Sequence, residues 1–363
     1  MKFIKEQSMD NEKVVNYIES SFISALLKDE NVTDISFNGS SIYYLHNLEG
    51  RKKSDIQISN SDAKDFVRQV ANITEKQFSF QSPILDVSAG RYRLNAVHNS
   101  IARFEETESI TFCLRIASSK PRITDRSDFI TKELISLFKV LIKSKIPIVI
   151  GGITGSGKTE FQKYLFSKME PSTRLVVIDN VLELCQTPYT NHLDVNIWQA
   201  DEKNISTSIQ LLVKNALRNN PDWLIIAESR GGEMLEILNS VMTGHPVITT
   251  LHAQSIDTMP NRIARMVMMN DKRSDYQEVI QDVYDNFPLH VFLKRRITKQ
   301  GRVQRYIQSI ALFDKKGKMH KVYEYDKKGH NYYHFPQSFL TSFEDVDDQL
   351  FISTFGGNKN ESL

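Results

Sequence analysis

The residues best suited to chemistry are Gly152, Ile153, Thr154, Gly155, Ser156, Gly157, Lys158 and Thr159, a full GxxxxGK[ST] run. Its glycines let backbone N–H groups turn inward around phosphate oxygens. The lysine reaches the β- and γ-phosphates, and the threonine hydroxyl can hold Mg²⁺. Such a run means a phosphate site only between a strand and a helix. The apolar residues 146–150 before it read as a buried strand, and Phe161, Tyr164, Leu165 and Met169 after it fall at helical spacing. The helix adds its positive N-terminal end. Residues 152–160, with Glu160 closing the segment, are the expected nucleoside triphosphate site.

Three further strand ends carry candidate groups. The run from Trp223 to Ala227 ends in Glu228, a carboxylate placed to reach Mg²⁺, partly through water, beside the γ-phosphate. Asp222 lies at the other end of that strand, where a turn role after Pro221 is the better reading. Arg230, two residues beyond Glu228, reads equally as a sensor of the nucleotide and as a surface arginine. A second strand, 174–178, is followed by Asp179 and Glu183, either of which could orient the attacking water or complete the metal shell, although acids often end strands. A third, 247–251, leads to His252, on the same edge as the glycine loop and able to contact a γ-phosphate there. A lone strand-end histidine is more often structural.

These elements imply a scaffold. Apolar strands at 146–150, 174–178, 223–227 and 247–251 alternate with helices, a rhythm that predicts a parallel sheet covered by helices. Leu134, Leu137, Phe138 and Leu141 line one face of a preceding helix. Residues 1–117 read differently. A hairpin turns at Asn38 and Gly39, Ser61 is placed to cap a helix bearing Phe66, Val67, Val70 and Ile73, and strands follow at 92–97 and 110–116. This predicts a smaller α+β domain on an antiparallel sheet. Polar residues 118–128 are the expected linker, 129–335 the second domain, and 336–363 a tail with a mobile end.

Composition narrows the function classes. Lys and Arg total 46 against 44 Asp and Glu, for a net charge of +2 in 363 residues. That balance argues against nucleic acid as a direct substrate held by bulk charge. The basic stretch Lys294, Arg295, Arg296, Lys299, Arg302 and Arg305 could contact acidic lipid, a partner or nucleic acid, or be a solvated face. Two cysteines, Cys113 and Cys185, cannot form a disulfide framework or a four-thiolate zinc site, and fit a reducing compartment. His330 and His334 have no third ligand spaced to join them. The N-terminus lacks a signal peptide's apolar core, and no apolar run is long enough to span a membrane.

Taken together, the four strand-end motifs resemble the secretion-ATPase superfamily, the hexameric motors of type II and type IV secretion, conjugation and type IV pili. The segment from Ala216 to Asp222 with Glu228, Ser229, Arg230, Gly231, Gly232 and Glu233 is specific to that superfamily. So is Thr243, Gly244, His245 with Thr250, Leu251, His252, Ala253. Val32 to Gly39, Gly90 to Ala96 and Leu114 to Ile116 resemble its N-terminal segments, so the likeness spans roughly 25–315. It implies an α/β, RecA-like P-loop motor domain, a parallel sheet with helices on both faces, preceded by a PAS-like α+β domain. That domain would supply arginines to the nucleotide site, with Arg91, Arg93, Arg103 and Arg115 as candidates.

The resemblance further implies an ATP hydrolase using ATP and Mg²⁺. It would be a ring homo-hexamer in the cytoplasm, peripheral at the inner face of the membrane, driving membrane-embedded secretion or pilus components with the linker as a hinge. Three departures stand out. Asp179 and Asn180 replace the usual Glu-Asp of the Asp box, Ala227 replaces a glycine, and the zinc module of type II assembly motors is absent. The branch of type IV secretion and tight-adherence pilus motors fits best. The alternatives are a pilus assembly or retraction motor, a nucleic-acid-stimulated motor, and a scaffold that binds ATP with little turnover.

Overall fold

The computed structural model describes residues 2–118, 120–181, 183–184, 194–201, 204–271, 273–343 and 346–356. It divides into two units, Met1–Lys120 with Ile297–Gln304, and Pro121–Arg296 with Arg305–Leu363. The chain thus leaves the first unit between Lys120 and Pro121, inside the segment anticipated as a linker. Residues 121–128 are not a free tether, however. The Arg122 N–H donates to Glu160 Oε2 at 3.1 Å, and Asp125 accepts from the Tyr164 hydroxyl and pairs with Lys168 Nζ. Polar residues that look solvent-directed in the sequence fasten this stretch to the second unit's own helix.

In the first unit six strands form an antiparallel sheet in the order Gly50–Lys53, Ile42–His46, Val32–Phe37, Thr111–Ile116, Tyr92–Val97, Ile84–Ala89. The Asn38 side chain closes the first hairpin by accepting from the N–H groups of Ser40 and Ser41. The helix Asn60–Ile73 buries Phe66, Val67 and Val70, with Phe66 5.4 Å from Phe112. Its cap is Ser59 rather than Ser61. A reciprocal cap needs an acid three residues on, and Asp62 meets that for Ser59, whereas Ser61 would be answered by Lys64. The segment Ile297–Gln304 joins this unit, with the Val303 N–H donating to the Leu48 carbonyl at 2.6 Å.

In the second unit the described strands form one sheet, ordered Val195–Gln199, Leu175–Asp179, Trp223–Ile226, Val247–His252, Ile148–Gly152, Leu289–Ile297, Val303–Phe313, Met319–Asp326, Gly329–Tyr332. The pairings up to Leu289–Ile297 are parallel. Beyond Val303–Phe313 they are antiparallel, an extension that the strand–helix rhythm does not announce. Alternate residues of the central strands feed two separate cores. Ile148, Ile150 and Ile225 face one, while Val149, Leu224 and Ile226 face the other. Burial on both faces is why these strands read as continuous apolar runs.

The described residues of the tail, 336–343 and 346–356, pack on the second unit. The helix Gln349–Phe355, capped by Asp348, sends Phe351 and Phe355 into the core beside Phe335, and Asp348 also accepts from the Ser136 hydroxyl at 2.6 Å. Residues 344, 345 and 357–363, including the acids Glu344 and Asp345, lie outside the described residues. Among the described residues no helix is long and apolar enough to cross a membrane, and no group of three or more His, Cys, Asp or Glu is arranged for a metal. His330 instead bonds the Tyr323 hydroxyl at 2.7 Å.

Candidate functional site

The glycine loop leaves the central strand Ile148–Gly152 and enters the helix Lys158–Phe166, whose first position follows Gly157. Gly155 and Gly157 have φ of +73° and +97°, values that a side chain strains against. A Cβ at Gly152 would come within 2.6 Å of the Leu293 carbonyl. The Lys158 ammonium, almost fully buried, donates to the carbonyls of Gly152 and Ile153 at 3.2 and 3.4 Å. The Ser156 hydroxyl is buried with no hydrogen-bond partner, and Thr159 is half-buried in the helix's first turn. A nest of backbone amides, a buried ammonium and an unanswered hydroxyl at a helix N-terminus fit a phosphate chain. Thr159 and Glu228 are the groups of this chain that suit Mg²⁺ bound to that chain.

Strand register brings the other motifs to the same edge. His252 pairs opposite Gly152, and Ile226 opposite Ile178, which puts Asp179 level with the residues just before Glu228. Glu228 Oε2 accepts from the Arg230 guanidinium at 2.8 Å, and Oε1 lies 2.7 Å from His252 Nε2 without hydrogen-bond alignment. His252 Nδ1 is 3.4 Å from Lys158 Nζ. The histidine's pKa is lowered, first by burial and then by Lys158, with Glu228 opposing and Arg230 adding to the effect. Burial and Lys158 thus favour the neutral imidazole, which stands between the Lys158 ammonium and the Glu228 carboxylate.

Asp179 stands differently from its sequence reading as a water-orienting acid. It is 1% exposed, and its two oxygens accept from the N–H groups of Val181 and Leu184, each at 2.8 Å. The carboxylate fastens the turn that carries Glu183, which is half-buried. Cys185 lies outside the described residues. Asp222 is a pin at the far end of its strand, accepting from the Arg174 N–H and pairing with Lys145. The four candidate arginines sit in the first unit. Arg91 donates to the Tyr92 hydroxyl and pairs with Glu19, Arg103 pairs with Glu108, and Arg115 pairs with Asp34. Arg93 is directly across from Arg115 in register.

One contributor escaped the sequence reading. Gln162, fully buried on the P-loop helix, donates its amide to the carbonyls of Ile226 and Ile248 at 2.8 and 3.2 Å. It thereby ties the helix to the strands that lead to Glu228 and His252. Hydroxyls add to this join. Thr250 donates to the Ala227 carbonyl, and Ser229 bonds Thr249. No sequence signal singles it out, because its neighbours one turn away are Lys158 and Thr159 on one side and Leu165 and Phe166 on the other.

Fold and site together define a P-loop nucleotide-binding protein of RecA-like architecture. The protein family described as "Type II/IV secretion system protein" matches residues 109–298. An uncharacterized protein of Bacillus anthracis is 30% identical over 335 residues, 86% of this chain and 73% of that one. The type IV secretion system protein VirB11 of Brucella suis is 32% identical over 141 residues, 38% of this chain and 39% of its own length. Among solved structures, the Yersinia pseudotuberculosis ATPase DotB shares the fold, with a TM-score of 0.61, 16% identity, and coverage of 81% of this chain and 79% of that one. The chain belongs to the type II/IV secretion system protein family, within the secretion-ATPase superfamily.

Proposed function

We propose that this chain is an Mg²⁺-dependent ATP hydrolase that powers a type IV secretion apparatus. It would work as a ring homo-hexamer from the cytoplasmic face, docked on membrane-embedded components. The observation that carries the reading is the convergence of Lys158, Glu228, His252 and Arg230 on one strand edge beside the glycine loop. The loop amides and Lys158 bind and neutralise the phosphate chain. Thr159 and Glu228 would hold Mg²⁺, which when bound supplies positive charge against the phosphate oxygens. Glu228 orients the attacking water and takes its proton, with Arg230 holding the carboxylate's other oxygen. With both Asp179 oxygens engaged by backbone, Glu228 is the better base. The arginines of the first unit are proposed to stabilise transition-state charge, and the passage from Lys120 to Pro121, within the expected linker 118–128, to let the two units move as nucleotide turns over.

The test is a pair of substitutions in the full chain. Lys158→Ala is expected to lose nucleotide binding and turnover. Glu228→Gln is expected to keep binding and lose at least about a hundredfold in kcat, as removal of a positioned base does. A Lys158→Ala protein with a normal ATPase rate would falsify the assignment. A wild-type protein that binds ATP but does not hydrolyse it would leave the scaffold reading in its place.

A further inference from the structure

From the sequence, residues 294–305 read as a basic stretch open to several partners. The structure disperses them. Arg296 lies over the rings of Tyr306 and Tyr325, at 5.3 and 5.5 Å, and Lys294 over Phe292. Arg295 and Arg305 turn instead onto the P-loop. Arg305 Nε donates to the Gly155 carbonyl at 2.8 Å, and its Cδ passes 3.5 Å from where a Cβ on Gly157 would stand. An Arg295 guanidinium nitrogen lies 2.9 Å from the corresponding position on Gly155. The Arg122 backbone is fixed to Glu160, in the first turn of the P-loop helix.

We propose that Arg295 and Arg305 form a guanidinium clamp on the tip of the P-loop that binds the phosphate chain of the nucleotide held there. This rests on the reading of residues 152–160 as an ATP site. Electrostatics support it. Among the charges acting on Arg305 are Arg122 and Arg295, which repel it, and Glu160, which attracts it. Burial is the larger influence, and together they lower its pKa. Glu160 is shared with Lys163 at 3.0 Å. Like charges gathered on one loop favour an anion beside them, and a polyphosphate there sets attraction against their mutual repulsion. Guanidinium groups match phosphate oxygens in paired geometry, which an ammonium does not. The loop amides and Lys158 draw the same anion to the same loop. A nucleotide therefore suits this cluster better than an acidic lipid or partner.

The test is displacement of a fluorescent ADP from the full chain in Mg²⁺, using ATP, adenosine and inorganic tripolyphosphate as competitors. Arg295→Gln and Arg305→Gln are each expected to weaken both ATP and tripolyphosphate by about tenfold or more, the loss of one charge-assisted contact. Arg295 is exposed, so its replacement leaves the fold intact even if Arg305→Gln does not. Tripolyphosphate affinity within about twofold of wild type in Arg295→Gln overturns the clamp, as does an effect confined to Arg305, which would make that residue a loop anchor alone. If wild type holds neither ATP nor tripolyphosphate, the ATP-site reading itself has failed and the clamp falls with it. Only that outcome also removes the difference between wild type and Lys158→Ala.

Discussion

His290 offers a stringent test of the core beneath the site. It is fully buried on the strand beside the P-loop strand, opposite Val149 in register. Its Nε2–H donates to the Phe287 carbonyl at 2.9 Å, and its ring meets Phe313 edge-on at 5.0 Å. Burial pushes its pKa down to about 4 from 6.5. Below 6.5 the unfolded chain gains a proton that the folded chain refuses. Stability is therefore intact above that pH and is lost as pH falls toward 4. At about 1.4 kcal/mol per unit, the loss between about pH 7.5 and about pH 5 is about 2 kcal/mol. Urea unfolding followed by tryptophan fluorescence reads this directly, because both tryptophans, Trp198 and Trp223, belong to the second unit. The comparison is His290→Gln, whose amide can donate to Phe287 and does not titrate. Wild type is expected to lose about 2 kcal/mol more than the variant over that range, and curves that stay parallel within about 0.5 kcal/mol would refute a neutral buried imidazole.

Two other substitutions separate structural from chemical roles. Asp179→Asn puts an N–H₂ group against one of two backbone N–H donors, so unfolding free energy should drop by about 1–3 kcal/mol. Unchanged stability with lost turnover would return Asp179 to the role of base. Gly155→Ala places a side chain at φ +73° and against Arg295, and the strain of about 1–2 kcal/mol should appear as weaker ATP binding by titration. Affinity equal to wild type would mean that the loop changes shape on binding.

What could be read from the sequence was local. Positive φ at Gly155 and Gly157, the lysine that follows, and a carboxylate or histidine ending an apolar strand are dictated within a few residues, so the glycine loop between its strand and helix, and the groups at the strand edge, were legible. What escaped depends on chain returning from far away. Arg305 meets Gly155 across 150 positions, and no spacing rule links them. Gln162 reads as an ordinary surface amide until two strands are laid beneath it. Asp179 was read as chemistry because its partners are backbone N–H groups, which leave no trace in residue types. The spacing of the aromatic residues after 335 shows no period that announces a core role, although Phe343, Phe351 and Phe355 close that side of the core.

The hairpin tip Ile297–Gln304 carries a practical and an evolutionary consequence. Residues contiguous along the chain up to Lys120 do not make up the whole first unit, because this short piece arrives from nearly two hundred positions later. Cutting a gene at the linker would strand the tip in the wrong fragment and leave Leu48 without the backbone partner that Val303 provides. Exchange of N-terminal domains between relatives is therefore a two-piece graft. Chimeras that swap residues 1–120 together with the tip should express as folded protein more often than those that swap residues 1–120 alone.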